Sequence, residues 1–163
     1  MALRTYFDFA EDDYQYFIAS YHNGLIANSM GANAQNICEK YLKHLISKYA
    51  EVTDEQGNRE RESVMRTHSL YRLLKYVKTS VGMEFSEETK SKMKMIDGFY
   101  FTCRYPGDDS IEMDRETLGD CFSAIEGCRS ETMEFIKCQE MKVETPIEKC
   151  VARNIKPEKK VKL

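Results

Sequence analysis

NAQNICEKYLKHLI, residues 33–46, decides how this chain is read. Gln35, Glu39 and Lys43 recur at intervals of four, so on a helix they form one polar row. Beside that row Ile37, Cys38, Tyr41 and Leu45 recur at three and four, the spacing of a core-facing helical stripe. An amide, a carboxylate and an ammonium aligned along a core-facing helix have two uses. They can seal helices together, or they can line a shallow ligand cleft.

The same periodicity extends in both directions. Phe7, Ala10, Tyr14, Phe17 and Tyr21 mark a first helix that stops near Asn23-Gly24. The second helix spans Leu25 to Tyr49, with an irregular first half expected at Gly31. Residues 51–66 read EVTDEQGNRERESVMR, almost wholly polar and interrupted by Gly57-Asn58, and predict a long connection. Thr67 can cap a third helix with Leu70, Leu73, Leu74, Val77 and Val81 turned inward, ending at Gly82. Ser86 can cap a fourth, favoured by Glu87 and Glu88 in its first turn. Its face is Met93, Ile96, Tyr100 and Cys103, and it stops at Pro106-Gly107. Asp114 can cap a fifth helix that buries Leu118, Cys121, Phe122, Ile125 and Cys128.

No segment alternates at period two, so the expected fold is all-α. It is an up-and-down bundle of about five helices around a four-helix core, within residues 1–141. From 142 to 163 there are seven Lys or Arg against three acids, with Pro146 and Pro157, which reads as a basic tail.

Composition narrows the functional classes. With 163 residues, 42% of them hydrophobic, the chain suits one compact domain. A net charge of −3 gives no global pull toward nucleic acid or an anionic membrane, so an RNA contact needs a local basic patch. The acidic N-terminal stretch lacks the apolar segment of a secretory signal, which predicts a cytoplasmic protein with its six Cys as thiols. No CxxC pair occurs and the three His stand apart from the Cys, so neither a metal site nor another cofactor is expected.

Several residues carry binding or catalytic chemistry. Lys40 or Lys43 can meet a phosphate while Gln35 or Glu39 bonds a base or ribose edge. In the plainer reading Glu39 and Lys43 are an ordinary helical ion pair. His68, just after the expected cap at Thr67, meets the positive end of a helix dipole, which favours a neutral imidazole. Such a ring can act as base toward a ribose 2′-hydroxyl, with Arg61 or Arg66 stabilising phosphate charge. Arg104 and Tyr105, at the end of the fourth helix, join a guanidinium to a phenol and can bind phosphate and stack a base.

The order AQNICEKYLKHLI, THSLYRLLKYV, FYFTCRYPGD, then a long helix carrying Ala124, resembles the HEPN family of helical-bundle domains across roughly Leu3 to Met141. The resemblance rests on Glu39-Lys40 with Lys43, on His68-x-Leu70 and on Arg104-Tyr105-Pro106. It implies a small helical bundle, usually a homodimer, with a cleft for nucleotide-like ligands or RNA. Many members partner a small nucleotidyltransferase, as in toxin–antitoxin pairs. Some are metal-independent endoribonucleases that use a closely spaced Arg and His. The pair here is Arg61 and His68, with acidic Glu62 directly after the Arg. The favoured expectation is a non-catalytic nucleotide- or RNA-binding module using Gln35, Glu39, Lys40, Lys43, His68, Arg104 and Tyr105. The alternatives are an endoribonuclease using Arg61 and His68, and a pure protein-interaction domain.

Overall fold

A computed structural model describes residues 2–144. Every regular element among them is helical. The chain divides into a unit spanning 1–132 and another from 133 onward. The second unit is described only to 144, where the chain is helical; apart from 142–144, the expected basic tail lies outside the described residues.

Helix α1, Tyr6–His22, starts in a capping box. The Asp8 amide donates to the Thr5 hydroxyl, and the Thr5 amide donates to the Asp8 carboxylate. It buries Ala10, Tyr14 and Phe17, as its spacing predicts.

Helix α2, Asn28–Tyr49, is the centre of the first unit, with 14 of its 22 residues buried. It packs against α1 and against every helical segment from α3 (Glu55–Met65) through α4 (Leu70–Tyr76) and α5 (Glu87–Ile96) to α6 (Phe99–Thr102). A helix covered on so many sides buries its polar row too, which a helix covered along one stripe does not.

The final helix, α7 (Arg115–Glu144), is capped by Asp114, whose carboxylate accepts from the Thr117 amide at 2.7 Å. Leu118, Cys121, Ile125 and Cys128 are buried on it, while Phe122 is half-buried and stacks on Tyr21 at 4.9 Å. Burial pushes the Cys121 thiol up to about 12, in keeping with an inert core cysteine.

Helices α1, α2 and α7 meet in a polar network. Arg129 forms a two-pronged pair with Glu11 at 2.8 and 2.9 Å, and the Tyr41 hydroxyl donates to Glu11 at 2.6 Å. Burial alone would raise the Glu11 carboxyl, but the Arg129 and Tyr41 hydrogen bonds outweigh it and hold it below the usual range.

Four elements differ from the sequence reading. Helix α2 starts at Asn28 rather than Leu25, and it is helical through Gly31. That glycine is a close-approach point, because a Cβ there would lie 2.9 Å from both Cys103 Sγ and Met113 Sδ. The expected connection after 51 contains α3, started by Asp54, which accepts from the Gly57 amide at 2.6 Å. Only Val64 of α3 is buried, so the apolar rhythm that would mark it is missing.

Helix α4 takes its cap from Ser69, not Thr67, and passes into a π-helical turn, Val77–Val81, that ends at Gly82. The expected fourth helix breaks at Asp97-Gly98 into α5 and α6. Asp97 turns its carboxylate back to the start of α4, accepting from the Leu70 and Tyr71 amides at 2.9 and 3.0 Å. Gly98, at φ 104°, makes the reversal that an L side chain would resist.

Two outcomes test this packing. Gly31→Ala should destabilise the protein by about 1–3 kcal/mol in chemical unfolding, because Cys103 and Met113 must shift within the core to admit the added methyl. His44 is buried against Phe7, and burial together with Lys48 lowers its pKa below the ordinary 6.5. Its neutral form is therefore favoured by folding. Stability should fall as pH drops from about 6.5 toward the lowered native value, and His44→Leu should flatten that part of the melting-temperature profile.

Candidate functional site

Gln35 organises one end of α2. Its side-chain oxygen accepts from the Gly98 amide at 3.0 Å and the Tyr100 amide at 2.7 Å, which caps α6. Its amide group donates to the His68 carbonyl, and more weakly to Glu39 at 3.4 Å. One fully buried carboxamide thus ties the segment before α4 to the start of α6.

One turn further along, Glu39 is 2% exposed and receives three neighbours. Lys43 Nζ lies at 3.3 Å, the Gln35 amide at 3.4 Å, and His68 Nδ1 at 3.2 and 3.3 Å from the two carboxylate oxygens. An ionised carboxylate only accepts, so in the neutral ring Nδ1 carries the hydrogen and Nε2 keeps its lone pair. His68 stands outside α4, one residue before its cap Ser69. Glu39 and the Tyr100 ring, not the expected helix dipole, fix its orientation.

The His68 ring stacks on Tyr100 with centroids 3.8 Å apart and planes 9° from parallel. The Arg104 guanidinium lies over the same Tyr100 ring at 4.6 Å. These three side chains, with Ala32, Asn33 and Asn36 of α2, line a shallow cleft of about 330 Å3. No carboxylate lines it, and the half-buried Asn33 and Asn36 add amide donors and acceptors. Phe101, 59% exposed, stands edge-on to both Tyr100 and His68 at 5.0 and 6.0 Å.

A comparison with known families bears on the whole chain rather than on this cleft. The sequence pattern of the HEPN domain matches residues 3–134. The chain belongs to the HEPN domain family. Searches among curated proteins and among solved structures found no match.

In this HEPN domain the expected site residues separate into those at the cleft and those away from it. His68 and Arg104 share the cleft. Tyr105 is exposed beside it, with its ring 5.5 Å from the Arg104 guanidinium. Gln35, Glu39 and Lys43 do form one row, but they are buried and joined to one another, behind the cleft rather than among its lining residues.

Lys40 is also removed from it, turned toward α1 and paired with Asp13. Arg61 does not join His68. Its guanidinium donates to the Ser47 carbonyl at 3.1 Å, eight residues or about 12 Å along α2 from Glu39. Asn33 and Asn36 are cleft residues that periodicity misses, and Tyr100, which spacing placed on the inner face of the fourth helix, is half-buried and lines the cleft. The spacing of the two Asn, three apart on the helix that carries the polar row, was the available signal.

Among the described residues no group of three His, Cys, Asp or Glu is placed to hold a metal ion. No helix there is long and apolar enough to cross a membrane.

The buried Glu39–Lys43 pair makes its own prediction. Lys43→Met should cost about 3 kcal/mol, because it takes the ammonium away from a buried carboxylate and leaves only the Gln35 and His68 hydrogen bonds. Glu39→Gln combined with Lys43→Met should recover much of that loss in a double-mutant cycle read by urea unfolding.

Proposed function

We propose that this HEPN domain binds a nucleotide or a short single-stranded RNA segment in the cleft of His68, Tyr100 and Arg104. The observation that carries the reading is the stacked His68–Tyr100–Arg104 group in a cleft whose lining holds no acid. Arg104 supplies a cation suited to phosphate, Asn33 and Asn36 supply base- or ribose-edge hydrogen bonds, and exposed Phe101 and Tyr105 supply faces for base stacking. The proposal includes a homodimer and pairing with a small nucleotidyltransferase, both carried by the family resemblance alone.

One observation favours a second reading. With Nδ1 of His68 held by Glu39, its Nε2 is left able to take a proton from a ribose 2′-hydroxyl, with Arg104 rather than Arg61 as the nearby cation. That arrangement would support metal-independent cleavage of RNA. The remaining alternative, a pure interaction domain, predicts no ligand in the cleft.

Titration of the full chain with mononucleotides and short single-stranded RNA should show saturable binding. Arg104→Ala should weaken it about tenfold, the loss of a charge-assisted hydrogen bond, and should reduce its salt dependence. No binding at millimolar ligand would leave the interaction-domain reading. If the cleft is catalytic, cleavage should proceed in EDTA, fall sharply in His68→Ala and persist in Arg61→Ala.

A further inference from the structure

A second cavity, of about 350 Å3, opens between α4 with its π-helical turn and α5. Its composition differs from that of the His68 cleft. Leu70, Met83 and Phe85 form a buried wall and half-buried Leu74 continues it, so most of the lining is apolar. Four lysines, Lys75, Lys78, Lys90 and Lys94, stand around this wall. The lining carboxylates are Asp97, engaged by the amides that start α4, and Glu84.

Glu84 shows what the lysines can hold. One of its carboxylate oxygens takes Lys78 Nζ at 2.7 Å and Lys90 Nζ at 3.1 Å. Hydrogen bonds from these two lysines hold the Glu84 carboxyl below its usual range. Two ammonium groups from different elements therefore converge on one anionic oxygen at the edge of an apolar cavity, and Lys90 also pairs with exposed Glu87 at 2.6 Å. Lys75 and Lys94 form no ion pair among the described residues and leave the lining with an excess of positive charge. The π turn lies directly beside the cavity, and such turns recur where a helix is reshaped for binding.

We infer that the cavity between α4 and α5 is a binding site for a small amphiphilic anion, an apolar body carrying one carboxylate or phosphate. The apolar body sits against Leu70, Leu74, Met83 and Phe85. The anionic group displaces Glu84 from Lys78 and Lys90, with Lys75 and Lys94 adding attraction. The volume lies at the small end of the range for small-molecule sites. A nucleotide is a poorer fit, since the wall offers few polar partners for a base edge.

The test titrates the full chain with decanoate, decyl phosphate, 1-decanol and adenosine monophosphate below their aggregation concentrations, read by calorimetry and amide chemical shifts. Decanoate or decyl phosphate should bind saturably, with shifts centred on residues 70–94. Uncharged decanol should bind about tenfold more weakly, because it makes no charge-assisted bond. The stronger of the two anions identifies the headgroup.

Glu84→Gln removes the carboxylate shared by Lys78 and Lys90, leaving Glu87 on Lys90, and should tighten anion binding several-fold. Lys75→Gln with Lys94→Gln should weaken it, and Leu74→Trp should block it by filling the cavity. Equal affinity for decanol and decanoate would overturn the inference, as would unchanged or weaker binding in Glu84→Gln. Shifts centred outside residues 70–94, or no saturable binding by the folded wild-type chain, would also overturn it. Adenosine monophosphate bound at residues 70–94 as tightly as decanoate would reject the amphiphile assignment.

Discussion

The Gln35 carboxamide is the constraint on which the rest of this structure depends. Two amides at the start of α6 and the carbonyl before α4 all find their partner in this one fully buried side chain. Left without these partners, the buried carboxamide would cost on the order of 1–3 kcal/mol. The chain segments that carry His68 and Tyr100 are therefore held against the same point on α2. The 3.8 Å stacking of the two rings follows from that shared anchor.

Helix α2 can supply such an anchor because the other helices surround it. Its apolar residues fill the core in the ordinary way, and its polar row is forced inside with them. Each member of that row is then satisfied by another buried group or by backbone. Gln35 bonds the two segments, Glu39 receives Lys43 and His68, and the side chains left open at the cleft are those they position. The core and the cleft are consecutive layers of one hydrogen-bonded arrangement.

This layering explains what the sequence could and could not disclose. The apolar stripes of α1, α2 and α7 were legible because burial there follows helical spacing, and the turn at Asn23 and the cap at Asp114 were legible from local chemistry. The grouping of Gln35, Glu39 and Lys43 was also legible, but not their burial, since periodicity does not say how many neighbours a helix has. Helix α3 was hidden because it buries Val64 alone. The choice of Ser69 over Thr67, and the break at Asp97-Gly98, depend on a contact between residues 27 apart in the chain. Arg61 and His68 looked like a pair from their separation, yet α3 carries one toward Ser47 while the other turns to Glu39.

The helix starts around the cleft have a further consequence. Helix α4 is only seven residues long and α6 only four, too short to persist without tertiary support. Asp97, from beyond α5, satisfies the first amides of α4, and Gln35, from α2, satisfies those of α6. Neither can fray alone without stranding a partner in another segment. Local opening should therefore be cooperative, with amides from 69 to 103 gaining and losing hydrogen-exchange protection as one unit. A ligand that bridges His68 and Arg104 would slow the exchange of that whole unit, well beyond the atoms it touches.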